Sequence, residues 1–223
     1  QLGSAFAIIF YFRKEISLII NSFSSILKNP KLIKKSENRL ACYIFLGSLP
    51  IFIIGFIIKL FWSNYSNSYF RGLFFIAFAS IIMASLLALS EFYGKRNKYF
   101  KDINIRDIVL IGISQCLAIF PGVSRSGITL TAALFSGIER ETAARFSFLI
   151  GIPAISISGF IELITLFRTS SSIDVIPTLI GIISSFISSI FAIKFLLRFL
   201  VNNNIFIFVY YRLAFGAFIL STL

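Results

Sequence analysis

The chain has 223 residues, of which 57% are hydrophobic and 13% are charged, and it carries a net charge of +12. A soluble domain is usually about half apolar and a quarter charged, so this composition indicates an integral membrane protein. Its long apolar runs favour helices over a β-barrel, whose strands alternate. The basic residues cluster at the ends of these runs, as they do in cytoplasmic loops, so we expect a membrane and no nucleic acid as partner.

The apolar runs predict an all-α, polytopic membrane protein with residues 1–223 in a single transmembrane domain. Residues 2–12 are apolar but only about half as long as a membrane span. Residues 13–39 carry seven Lys or Arg, with Ile16, Ile19 and Phe23 among apolar residues at helical spacing, so we expect an amphipathic helix at the membrane interface. Spans are predicted at 40–61, 72–89, 146–167, 178–200 and 205–223. Glu91, at the end of the second of these, is expected to be a solvated helix terminus.

The segment PGVSRSG, residues 121–127, interrupts two apolar runs at 108–120 and 128–135. Pro121 stops the incoming helix, and Gly122 and Gly127 allow backbone angles that other residues resist. Ser124 and Ser126 offer hydroxyls, and Arg125 offers a planar fork that binds oxyanions. If 127–135 is a helix, its free N–H groups and its dipole also favour an anion at the loop.

The same segment has a simpler interpretation, in which it is a kinked span with small polar residues at a packing interface. Arg125 favours the phosphate-binding interpretation, because an arginine inside the membrane is costly and is usually functional.

Neither apolar run beside this segment is long enough to cross a bilayer alone. The segment is therefore either one broken span or a re-entrant hairpin that returns to the same side. With re-entry, the cytoplasmic segments hold 16 Lys or Arg against 3 outside; with crossing, the split is 13 against 6. The positive-inside rule favours re-entry, which also buries irregular backbone within protein.

Residues 112–154, GISQCLAIFPGVSRSGITLTAALFSGIERETAARFSFLIGIPA, resemble the second signature of the undecaprenyl-diphosphate phosphatases, the bacitracin-resistance family. The segments at 1–12, 46–59, 193–200 and 208–218 resemble family segments in the same order, so the resemblance covers essentially the whole chain. It implies an inverted-repeat fold with two re-entrant hairpins that meet in mid-membrane. It also implies hydrolysis of undecaprenyl diphosphate to the monophosphate in the bacterial inner membrane. This reaction recycles the lipid carrier for peptidoglycan synthesis and confers bacitracin resistance.

The resemblance also implies roles for individual residues. Arg125 matches the diphosphate-binding arginine of the family, and Ser124, Ser126 and Thr129 match the polar residues around it. Thr129 lies one helical turn after Arg125, so both are expected near the same phosphate. Gln115 matches a glutamine on the incoming half-helix, where diphosphate binding and plain packing between helices are equally open. Gly122 and Gly127 complete the predicted diphosphate-binding loop.

The family has a first signature, with paired acidic residues, a serine-rich turn and a histidine, that precedes the QLG segment. This chain begins at Gln1 and contains no histidine. We expect either a fragment of a longer product or a degraded homologue, which binds diphosphate weakly and turns it over poorly by itself. That first signature is expected to supply the acid/base groups, with or without a divalent metal such as Mg²⁺ or Ca²⁺ held by its acidic pair, so the cofactor stays open.

Three functions stay open at this point: a polyprenyl diphosphate phosphatase, an anion transporter built on a broken helix, and a non-catalytic membrane protein. The candidate nucleophiles are Ser124, Ser126 or water. Glu139, Glu141 and Glu162 are expected to have ordinary surface or span-end roles. The oligomeric state is open as well, with a homodimer as one alternative.

Overall fold

The computed structural model describes residues 2–29, 36–61, 69–169 and 175–223. Within these residues the chain forms nine α-helices and no strand longer than an isolated bridge. The helices are α1 (Leu2–Tyr11), α2 (Arg13–Lys28), α3 (Ser36–Phe61), α4 (Leu73–Tyr93), α5 (Ile105–Gln115), α6 (Arg125–Phe135), α7 (Arg140–Thr169), α8 (Val175–Asn202) and α9 (Phe206–Ser221).

Four of the described helices are long and apolar enough to cross a membrane, and they lie in α3, α4, α7 and α8. They confirm an all-α polytopic membrane protein with spans close to the predicted ones. The last predicted span is a shorter apolar helix, α9, of 16 residues. Helix α7 begins earlier than predicted, because the Glu139 carboxylate accepts hydrogen bonds from the N–H groups of Glu141 and Thr142 at 3.0 and 2.9 Å. Glu139 therefore has the span-end role that the sequence predicts.

The amphipathic helix predicted within 13–39 is α2. Its residues Ile16 and Ile19 are partly buried against the core, and the Phe23 ring packs edge-on against Phe45 of α3 at 6.0 Å. On its outer side Leu18 and Leu27 are exposed. A helix with one face on the protein and further apolar residues outside fits the membrane interface that the sequence predicts.

Helices α5 and α6 form a hairpin that returns to its starting side. The N–H groups of Asn97 and Lys98, before α5, both donate to the Gly137 carbonyl, after α6, at 3.0 Å. The Glu139 N–H donates to the Lys98 carbonyl at 2.9 Å, and Lys98 and Ile138 form a parallel β-bridge. Because the chain entering the hairpin lies beside the chain leaving it, the re-entrant arrangement is confirmed. The inverted-repeat relationship stays a prediction.

Close packing holds the hairpin among the spans. On α5, a side chain at Gly112 would meet the Gly47 carbonyl of α3 at 2.7 Å, so the two backbones touch. Helix α6 packs against both α4 and α7. The shared core contains Ile108 and Ile111 of α5 with Leu134 of α6. Such glycine contacts are typical of helix association in membranes.

The expectation that Glu91 is solvated is wrong. Its side chain is only 4% exposed, and both carboxylate oxygens accept from Arg140 Nε, at 3.1 and 3.2 Å. A second guanidinium, that of Arg96, lies 3.5 Å from the same carboxylate. The partner Arg140 comes 49 residues later in the chain, at the start of α7, so local periodicity could not reveal this pair.

Candidate active site

The hairpin loop begins well before the proline. Helix α5 ends at Gln115, and a 3-10 turn over Cys116–Ile119 leads to Pro121. Gly122 has a φ of +89°, and a side chain there would come within 2.5 Å of the Ile76 carbonyl of α4. Only glycine fits this left-handed, tightly packed position, so Gly122 seats the loop on α4.

Ser124 caps the second helix of the hairpin. Its hydroxyl accepts from the Gly127 N–H at 3.2 Å and lies 3.4 Å from the Ser126 hydroxyl. Helix α6 therefore begins at Arg125, two residues earlier than the sequence suggested. The first N–H groups of a helix have no partner within it, so those of Arg125 and Ser126 point out of the helix start. Together with the hydroxyls, this end of α6 can bind an anion.

A cavity of about 500 Å³ opens beside this helix start. It has mainly apolar walls from α4, α6, α7, α8 and α9 and a few polar groups. The polar side chains among its lining residues are Ser80, Ser124, Ser126, Ser147, Tyr211 and Arg212. A mostly apolar cavity with a few convergent polar groups is the usual form of a small-molecule site.

Arg125 and Thr129 lie on another face of α6. The Arg125 Nε is 3.8 Å from the position a side chain at Gly151 of α7 would take. Thr129 is fully buried, and its hydroxyl donates to the carbonyls of Arg125 and Ser126, at 2.9 and 3.3 Å. The structure thus keeps the two side chains one turn apart, as expected. Neither is among the residues that line the cavity, and their shared phosphate contact stays a prediction.

Gln115 is fully buried at the end of α5. Among the described residues, neither its amide oxygen nor its amide nitrogen has a hydrogen-bond partner. An unpaired buried polar group costs about 1–3 kcal/mol. Burial fits the packing interpretation, whereas the unpaired amide leaves room for a polar ligand, so its predicted role in diphosphate binding stays open.

Arg212 is a site residue to which the sequence analysis assigned no role. From α9, it donates through a terminal guanidinium nitrogen to the Gly122 carbonyl at 2.6 Å. Its other terminal nitrogen lies 2.8 Å from where a side chain at Gly127 would begin. A signal was available, because an arginine inside an apolar span is as costly at position 212 as at 125.

The described acidic side chains lie away from the loop. Their hydrogen bonds and ion pairs are at the base of the hairpin, as for Glu91 with Arg140, Asp107 with Lys98, and Glu141 with Arg145. Over the described ranges, no three His, Cys, Asp or Glu side chains come together as a metal site. These residues do not fit the divalent metal that the resemblance leaves open, so we derive no step through one.

The fold and the site define a polytopic membrane protein whose re-entrant hairpin presents an anion-binding loop to an apolar cavity. A family model described as bacitracin resistance protein BacA matches residues 1–218. The chain belongs to this family.

Individual members of the family are similar to this chain over nearly its whole length. The chain is 66% identical over 223 residues to the undecaprenyl-diphosphatase of Prochlorococcus marinus strain NATL2A, an alignment that covers 100% of the chain and 80% of that protein. It is 45% identical to the undecaprenyl-diphosphatase of strain MIT 9515, covering 100% of the chain and 82% of the relative. Its identity to the undecaprenyl-diphosphatase of Synechococcus sp. strain WH7803 is 44%, covering 99% and 77%.

Proposed function

We propose that the protein hydrolyses undecaprenyl diphosphate to undecaprenyl phosphate and inorganic phosphate. The observation that carries this proposal is the free start of α6, with the Ser124 and Ser126 hydroxyls, at the wall of an apolar cavity. A lipid diphosphate has the same two parts, an anionic head and an apolar tail. The family to which the chain belongs, and the names of its relatives, agree with this substrate.

The loop binds the anionic head. The backbone N–H groups at the start of α6 and the two serine hydroxyls donate to phosphate oxygens, and the helix dipole adds to the attraction. The Arg125 guanidinium, predicted to bind the diphosphate, supplies a positive charge at the same helix start. The tail lies against the apolar walls, which include Leu130 of α6 and Phe148 of α7.

In the reaction, an oxygen nucleophile forms a bond to the terminal phosphorus, and the bridging P–O bond breaks. The electron pair of that bond stays with the lipid monophosphate, and water supplies the oxygen and protons of the products. Water attacks directly, or Ser124 or Ser126 attacks first and water then releases the phosphate. Donors at the loop stabilise the charge that develops on the phosphate oxygens. No described carboxylate bonds to the loop, so the described residues account for phosphate binding but not for proton transfer.

We place the protein in the bacterial cytoplasmic membrane, where the lipid carrier is recycled for cell-wall synthesis. Its multi-pass helical fold and its excess of basic residues in the segments assigned to one side support this placement. A homodimer stays a prediction.

The test is the release of inorganic phosphate from undecaprenyl diphosphate and from the shorter farnesyl diphosphate by purified protein in detergent. We expect equal amounts of phosphate and lipid monophosphate. In parallel, proteoliposomes report anion flux. Flux without phosphate release would contradict the proposed hydrolysis and indicate a transporter. Neither flux nor phosphate release would also contradict it.

A further inference from the structure

Arg212 anchors the loop through one hydrogen bond, and its guanidinium keeps further donors that this contact does not use. One terminal nitrogen of its guanidinium donates to the Gly122 carbonyl, and the other lies 2.8 Å from where a side chain at Gly127, in the first turn of α6, would begin. It also lines the cavity together with Ser124 and Ser126. A guanidinium has several N–H donors, and the contact with Gly122 uses only one of its terminal nitrogens.

No described anion neutralises this charge. The carboxylates in the described part of the chain pair with other basic side chains or cap helices at the base of the hairpin. None of them forms an ion pair with Arg212. A partly buried arginine at membrane depth is costly without a counter-ion. An anion bound in the cavity would neutralise the charge of Arg212.

Ser147 of α7 gives a second, independent indication of a ligand. It lines the same cavity, its side chain is only 3% exposed, and its hydroxyl has no hydrogen-bond partner among the described residues. Most buried hydroxyls are paired, so an orphaned one at a cavity wall indicates a polar ligand. The cavity thus offers a cation, free helix N–H groups and hydroxyls, which together suit a phosphate.

We propose that Arg212 is a second diphosphate-binding residue, which contacts the phosphate lying in the cavity while it holds the loop through Gly122. This inference rests on the proposed function and adds one residue to that site. The two phosphates then divide between two groups of donors: the start of α6 with its serines binds one, and Arg212 binds the other.

Binding of inorganic pyrophosphate and of inorganic phosphate separates this role from loop anchoring. The proteins are the wild type, Arg212→Gln, and Arg198→Gln, a control that removes an exposed charge from α8. We expect Arg212→Gln to weaken pyrophosphate binding by roughly 10- to 100-fold, the size expected for a lost charge-assisted contact. Phosphate, which needs only one group of donors, should weaken far less, and Arg198→Gln should change neither affinity. Equal weakening for both anions would leave Arg212 as a loop anchor and overturn the proposal, as would unchanged affinity or no pyrophosphate binding by the wild type.

Gly127→Ala is a second variant, in case Arg212→Gln does not fold. The added methyl carbon would lie 2.8 Å from the Arg212 guanidinium and would displace it without removing its charge. It would also lie 3.1 Å from the Cβ of Ser124, which must shift by a few tenths of an ångström, a change that should affect both anions. The matched control is Gly55→Ala on α3, where nothing lies within 4 Å of the added carbon. We expect a selective loss of pyrophosphate affinity in Gly127→Ala alone. An unchanged ratio of the two anion affinities would contradict the proposal.

Phosphate release from farnesyl diphosphate by the same preparations distinguishes a failure of this inference from a failure of the proposed function. Arg212-dependent pyrophosphate binding without lipid hydrolysis would contradict the function and leave the binding site. Hydrolysis by the wild type with Arg212-independent pyrophosphate binding would contradict the second site and leave the function.

Discussion

Arg140, at the start of α7, donates hydrogen bonds to both carboxylate oxygens of Glu91, near the end of α4. Fifteen residues earlier, α4 contacts the loop at Ile76. With a rise of 1.5 Å per residue, this separation is roughly 22 Å. A hydrocarbon core is about 30 Å thick, so a loop at that distance from the base lies deep in the membrane. Helix α4 thus supports the hairpin at its base and at its loop.

Removing the ion pair between Glu91 and Arg140 at the base of the hairpin should destabilise the protein strongly. In Glu91→Ala, Arg140 loses its carboxylate at a mostly buried position. Breaking a buried pair costs about 3–5 kcal/mol, and we expect the lower end, because 23% of the Arg140 side chain is exposed. Thermal unfolding in detergent measures the change. The control is Glu141→Ala, which breaks a pair with Arg145 in which 33% and 36% of the two side chains are exposed and should cost less than about 1 kcal/mol. Similar shifts for both variants would contradict the structural role of Glu91.

Gly122 should not accept a side chain. An alanine there would need a left-handed backbone angle and would approach the Ile76 carbonyl to 2.5 Å, an atom that cannot move away cheaply. We expect Gly122→Ala to lower stability by at least about 1–3 kcal/mol and to reduce anion binding, because the loop moves off α4. Thermal unfolding and pyrophosphate titration report the two effects. Gly55→Ala, in open space, serves as the control, and a Gly122→Ala protein that behaves like it would refute the loop geometry.

Ser124 allows capping and anion binding to be separated. Asparagine and aspartate cap helices about as well as serine, so Ser124→Asn and Ser124→Asp should keep α6 intact, whereas Ser124→Ala should cost about 1 kcal/mol. The aspartate also places a negative charge at the helix start, where it would repel a diphosphate. We expect the asparagine variant to retain pyrophosphate binding within several-fold and the aspartate variant to lose it. Equal pyrophosphate affinity of the two variants would mean that the anion does not bind at this helix start.

Sequence patterns predicted those features that depend on neighbours in the chain. Apolar runs located the spans and charge asymmetry indicated re-entry, whereas the start of α6 was placed two residues too late, because the cap formed by Ser124 was not recognised. They missed the burial of Glu91 and the contact of Arg212 with Gly122, which join residues 49 and 90 positions apart. The direction of the Arg125 side chain, against Gly151, depends on how α6 packs on α7. Such pairings arise from the arrangement of whole helices, which no local period encodes.

The central claim is that the hairpin loop is the diphosphate site of a phosphatase. Its most direct test is phosphate release from undecaprenyl diphosphate by the purified protein, with the undecaprenyl-diphosphatase of strain NATL2A as a reference. The protein is also made with Arg125→Gln and with Arg198→Gln. The account predicts release by the wild type, and loss of release with Arg125→Gln but not with Arg198→Gln. Release that survives Arg125→Gln, or no release by the wild type, would contradict it.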